Sequence, residues 1–412
     1  MRYVSTRGLT PSVDFEGALF SGYAPDGGLF VPAEIPRLDE DTLRRWSVLP
    51  YPGLVKELCS LFITPELIPR EDLNRLIDRA FSRFRHRDVV HLSRMKDGLN
   101  VLELWHGVTY AFKDLALSCT GQFLQYFLEK RQKHVTIVVG TSGDTGSSAI
   151  ESVRGEKNMD ILVLLPKGYC SQIQELQMTT VLEDNVHVFV AGCLAQRMGL
   201  PLRLVAVAND NDIIHRTIER GDFSLSDSVK PTLASAMDIQ VPYNMERIFW
   251  LLSDSDSTLI NALMEKFDKT KRVKLPEILH REISEMISSR SVSDEEIVHT
   301  MQRCWEENRY LLCPHSAVAV FYHYKQSEAR QPSIPRCCLA PASAVKFQDA
   351  VLRAELLPEI PPEIKALETM ETRATILQRG DNWTQILRDA IEALARRRER
   401  TSRPVAEGSH RE

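Results

Sequence analysis

The stretch from Val135 to Phe189 constrains this chain most, because it repeats one grammar: an apolar β run, a glycine turn, a helix, and another apolar β run. Val135–Val139 is such a run, Gly140–Gly146 the turn, Ser147–Val153 the helix, and Ile161–Leu165 the next strand. A Pro-Lys-Gly turn, a helix over Ser171–Val181 and a strand over Val186–Phe189 follow. Strands joined through helices are parallel, since only a crossover returns the chain to the same edge. The expectation is an α/β fold of parallel sheets flanked by helices. Leu202–Ala208 reads as a further buried strand, and Asn209–Asp212 is a polar loop at its carboxyl end, where open α/β sheets place ligands.

At 412 residues the chain has length for two or three domains. The expected divisions are an N-terminal module over 1–90, a βαβ domain over 91–189, a helix-rich remainder over 190–395, and a polar tail from 396 to 412. In the first, Arg70-Glu71-Asp72 opens a helix with Leu73, Leu76 and Ile77 on one face. In the third, Ser293-Asp-Glu-Glu296 fits a capping box, and Pro314–Val320 continues as helix.

Lys and Arg number 51 against 56 Asp and Glu, a net charge of −5, which argues against a nucleic-acid partner. No apolar run reaches 18 residues, so no membrane span is expected. Eight cysteines contain no C-x-x-C pair, and the amino terminus has no signal-type apolar run; a reduced, cytoplasmic chain is the expectation. His106, His215 and His315 share no ligand spacing and read as structural, so no metal is expected. Cys337-Cys338 reads as buried packing.

Two segments carry chemistry. Gly140-Thr-Ser-Gly-Asp-Thr-Gly-Ser147 lies between a strand and a helix, where successive backbone N–H groups favour an anion. Its G-x-x-G-x-x-G spacing is neither a Walker loop nor a dinucleotide fingerprint. In His106-Gly-Val-Thr-Tyr-Ala-Phe-Lys113-Asp114 a lysine sits among Ala111, Phe112 and Leu115. Partial burial yields the neutral amine that attacks an aldehyde.

Together these segments resemble the threonine synthase family, fold-type-II pyridoxal-phosphate enzymes related to the tryptophan synthase β chain. Tyr23–Pro32, Asn209–Asp212 and Ala236–Arg247 resemble further family signatures in matching order. Within the family the likeness is greatest to its vertebrate synthase-like branch. The resemblance implies pyridoxal 5'-phosphate as cofactor and Lys113 as its Schiff-base lysine and proton carrier. It implies that Ser142, Gly143, Asp144 and Thr145 meet the substrate carboxylate or the cofactor's 3-hydroxyl side, and that Asn209, Asn211 and Asp212 lie near the site. It further implies a small phosphorylated amino-acid substrate and allows a homodimer.

Two departures stand out. The family's second glycine-rich loop, which holds the cofactor phosphate, is missing, and the strand ending at Val190 meets Ala191 with no turn or N-cap. Both point to an excised segment on the order of two βαβ units of roughly 30 residues each, as alternative splicing or an error in the gene's assignment would equally produce. In Leu339-Ala-Pro-Ala-Ser-Ala-Val-Lys-Phe347, Pro341 replaces the family's hydroxyl at the cofactor ring nitrogen, with Ser343 close by as a substitute. The expected activity is a phospho-lyase that converts O-phosphohomoserine, with O-phosphothreonine as the alternative substrate, to phosphate, 2-oxobutyrate and ammonia. The competing expectations are a true threonine synthase and a catalytically silent variant acting as an interaction or secreted signalling protein.

Overall fold

A computed structural model describes residues 1–141, 143–165, 170–180, 198, 202–329, 335–378 and 380–401. The expected strand at 186–189 and the Val190–Ala191 junction lie outside the described residues, as does Ser142.

The expected parallel pairing is present. Val135–Gly140 pairs in parallel with Met159–Leu164, Leu204–Ala208 with Ile287–Ser291, and Arg336–Ala340 with Leu99–Glu103; His91–Arg94 adds an antiparallel edge to the last pair. Near the amino terminus Tyr3–Ser5 and Phe30–Pro32 form a small antiparallel ribbon.

The helix Lys113–Arg131 is central because it is apolar on more than one face. Leu117, Leu124 and Leu128 pack with Ile137, Val139 and Ile161 of one parallel pair. Cys119, Phe123 and Phe127 pack with Leu73, Ile77 and Phe81 of the helix Arg70–Phe81. Gly121 allows this helix to approach its neighbour: a Cβ there would stand 2.2 Å from the Ser152 carbonyl oxygen. Buried on both sides, the helix is a rigid mount for the lysine at its first turn.

Boundaries differ from the sequence reading in instructive ways. The helix after the glycine turn begins at Asp144, three residues earlier than expected, so Thr145 and Gly146 are helical. Gly143 precedes it with φ 145°, a conformation open to glycine and strained for other residues. The Ser293 capping box forms as expected, and its helix runs on to Asn308. The expected tail is helical at its start: Trp383–Thr401 is one helix, and Arg398 pairs with Asp160, which removes that charge from the free surface. Of the two adjacent cysteines only Cys338 is buried; Cys337 is exposed, because successive strand residues point to opposite faces. Among the described residues no helix is long and apolar enough to cross a membrane.

Candidate active site

Lys113 opens the central helix, and the segment before it is pinned from two sides. The Phe112 N–H donates to the Pro341 carbonyl at 2.7 Å, and the Ser343 N–H donates to the Tyr110 carbonyl at 3.1 Å. Arg85 donates to the carbonyls of Gly107 at 2.6 Å and Val108 at 3.1 Å, and its guanidinium lies 4.2 Å over the Tyr110 ring. Tyr110 itself sits at φ 58°, a turn these contacts stabilise. The lysine is partly buried, its ammonium crowded by protein atoms and 4.3 Å from the Phe112 ring centroid. Burial pushes its pKa below the usual lysine range, the nearby Lys346 adds to this, and Asp144 opposes it. A position in the first helical turn further disfavours positive charge.

Opposite the lysine lies a buried ion pair. Lys346, wholly buried, donates from Nζ to Asp144 Oδ1 at 2.6 Å and to the Thr109 carbonyl at 2.7 Å. Gln174 Nε2 donates to the same Asp144 oxygen at 2.8 Å. Burial by itself would raise the Asp144 carboxyl, but Lys346 and Gln174 bring it below the ordinary carboxylate range, so it is ionised. Gln174 is set by the capping box it forms with Ser171 at the start of the helix Gln172–Thr179. Beside it, a Cβ on Gly143 would stand 2.6 Å from Gln174 Nε2, so the glycine turn leaves room for this amide.

His315 completes the cluster from the start of the helix Pro314–Glu328. The Ala236 N–H donates to its Nε2 at 3.0 Å, which leaves the proton of the neutral ring on Nδ1. That Nδ1 is buried and has no hydrogen-bond partner. Burial depresses its pKa to about 4, with Lys113 and Lys346 contributing and Asp144 opposing. A cavity of about 230 Å³ adjoins, lined among others by Trp105, Cys313, Ser316, Ala342 and Ser343.

The structure therefore brings Lys113 and Asp144 together, with Gly143 at the turn and Thr145 half-buried in the first helical turn. It does not bring Asp144 to a free position: its carboxylate is already held by Lys346 and Gln174, and a second carboxylate there would face like charge. Asn209 and Asn211 form a separate clamp. Their amides both donate to Asp238 Oδ1, at 2.7 and 3.1 Å, and Asn209 also donates to Thr232 Oγ1 at 2.8 Å. Asp212 pairs with Arg216 at 2.9 Å. This clamp reaches the lysine cluster through Ala236 and His315. Sequence reasoning missed Lys346, Gln174 and the part played by His315. The Ser171-x-x-Gln174 capping pattern was visible and places Gln174, but nothing local marks a lysine at 346 as the partner of an aspartate 202 positions away.

Comparison with known proteins places the chain in a family. Residues 2–81 match the family described as threonine synthase N terminus, and residues 316–391 match threonine synthase, C-terminal. The chain is 60% identical to threonine synthase-like 2 of Homo sapiens, covering 96% of this chain and 98% of that protein. It is 31% identical to threonine synthase of Saccharomyces cerevisiae, over 95% and 97%. The crystal structure of yeast threonine synthase superposes with a TM-score of 0.88 at 30% identity, over 96% of this chain and 99% of that one. A pyridoxal-phosphate-bound threonine synthase from Brucella melitensis gives the same TM-score at 29% identity, over 96% and 100%. The alignment with the human relative spans 473 positions against 412 residues here, so at least 61 of them face no residue of this chain. The chain belongs to the threonine synthase family, with the fold-type-II architecture of that pyridoxal-phosphate-dependent family.

Proposed function

We propose that this chain binds pyridoxal phosphate at Lys113 and acts as a phospho-lyase on O-phosphohomoserine, releasing phosphate, 2-oxobutyrate and ammonia. The observation that carries the reading is the partly buried Lys113, its charge disfavoured, facing the Asp144–Lys346 pair. The residues fit the reactive end of the cofactor. They offer an amine that readily loses its proton, an unpartnered buried N–H on His315, and a glycine turn that a Cβ would fill. For the phosphate end, the sequence has no second glycine turn of the family's type.

When bound, pyridoxal phosphate supplies an electron sink for negative charge at the substrate Cα. The neutral Nζ of Lys113 takes the proton from Cα and moves it onward, which requires the lowered pKa that burial provides. Lys346 keeps Asp144 ionised, and that fixed negative charge limits how far the Lys113 pKa falls. The Nδ1–H of His315, neutral across the physiological range, offers a hydrogen bond to an anionic group of the ligand without adding a charge. Pro341 in place of a hydroxyl supports simple elimination over the full synthase reaction, since a partner at the ring nitrogen tunes the sink.

The test is to incubate the folded chain with pyridoxal phosphate, reduce with borohydride and map the label, then assay phosphate, 2-oxobutyrate and threonine from O-phosphohomoserine. Label on Lys113 with 2-oxobutyrate release, both lost in K113A, supports the proposal. Threonine as the main product replaces it with a synthase. A second reading, a catalytically silent variant, is favoured by the missing glycine turn. An unlabelled Lys113 at saturating cofactor would establish it.

A further inference from the structure

A second cluster lies outside the lysine site, on the turn that leads into the strand His91–Arg94. One ligand atom each from His86, Asp88 and His91 falls within 4.8 Å of the others. The geometry points to a divalent transition-metal site here, of the zinc class, with these three residues as ligands and an open position left for solvent.

The turn is built to hold them. The Val89 N–H donates to the His86 carbonyl at 2.9 Å, and the Val90 N–H to the Asp88 carbonyl at 2.8 Å. Val89 is buried against the helix Arg70–Phe81 core and takes φ 66°, a left-handed conformation rare for a β-branched residue. Core packing thus holds a strained turn that turns residues 86, 88 and 91 toward one another. His91 is fixed further by its strand.

The donor chemistry selects the metal. Two imidazoles and one carboxylate suit zinc and its neighbours better than calcium or magnesium, which prefer oxygen. The Asp88 N–H donates to His86 Nδ1 at 3.2 Å, a contact that draws the imidazole over the turn. Asp88 Oδ2 stands 3.8 Å from the same nitrogen, so carboxylate and imidazole lie on one side of the turn. Arg87 approaches the other oxygen, Oδ1, at 3.4 Å, an exposed contact that leaves Oδ2 to the histidines. The His106 ring lies 4.8 Å from that of His86, centroid to centroid, and its Nε2 is held by Glu103 at 2.7 Å. The backbone N–H of Arg85, adjacent to the cluster, donates to the His106 carbonyl at 2.9 Å, so the site adjoins the segment that leads to Lys113. The sequence reading expected no metal because it weighed His106, His215 and His315; the i, i+2, i+5 set at 86 becomes a cluster only through the strained turn.

The test is calorimetric titration of the untagged, EDTA-treated full chain with Zn²⁺, repeated with H86N and H91N, and the visible spectrum with Co²⁺. Expected are one Zn²⁺ per chain, affinity at least 10-fold weaker in each variant, and Co²⁺ bands of a nitrogen–oxygen site. No saturable binding, or binding undiminished in the H86N/H91N double variant, overturns the proposal. So does a thiolate charge-transfer band with Co²⁺, which would place the metal on cysteines. Circular dichroism of each variant separates lost ligands from lost fold.

Discussion

Replacing Lys346 by Met tests the electrostatic centre of the site. The substitution keeps the length of the side chain and removes its charge, leaving Asp144 as a buried carboxylate with Gln174 Nε2 as its remaining hydrogen-bond partner. Breaking a buried pair from one side costs about 3–5 kcal/mol, because the surviving charge stays desolvated. The Thr109 carbonyl loses one donor but keeps Gln177 Nε2 at 3.2 Å, so it adds little. Urea unfolding at pH 7 of the wild type, K346M, D144N and the double variant measures both the loss and its origin. The double variant should be more stable than the summed single losses predict, by about 2–3 kcal/mol, since neither charge is then left alone. pH adds a sign. In the wild type the Asp144 pKa is lowered, so its contribution is present above 3.8 and is lost as pH falls through the folded value below that. In K346M burial dominates and the folded pKa rises, so the deficit should shrink as pH drops from 7 toward 4. A K346M loss under about 1 kcal/mol, or strictly additive single losses, would refute the reasoning.

K113M should be more stable than the wild type at pH 7, because a lysine with a depressed folded pKa costs stability wherever the unfolded chain would be protonated; the gain should vanish as pH rises past 10.5, read by denaturant midpoints. His315, neutral in the fold down to about pH 4 against 6.5 unfolded, should cost the wild type up to about 3 kcal/mol as pH falls from 6.5 to 4. That acid sensitivity should be blunted in H315N, as pH-dependent unfolding would show. G143A should lose about 1–3 kcal/mol, from the φ of 145° and the 2.6 Å approach to Gln174, measured by the same unfolding series.

Local pattern carried much of this protein. Alternation of apolar runs with glycine turns fixed parallel pairing, since a crossover helix leaves no other geometry, and the Ser293 capping box fixed a helix start because both its bonds are made within four residues. The partial burial of Lys113 and the turn at Gly143 were legible for the same reason: both depend on immediate neighbours. The helix start at Asp144 was not, because the groups that hold its carboxylate, Gln174 and Lys346, are distant in sequence. Tertiary structure alone decided that Lys346 neutralises Asp144, that Asn209 and Asn211 are spent on Asp238, and that His315 presents a lone buried N–H. It also decided that His86, Asp88 and His91 converge, through a buried Val89. Pairings between charges far apart in sequence leave no periodic trace in the chain; they exist only once packing has excluded the water that would otherwise solvate each partner.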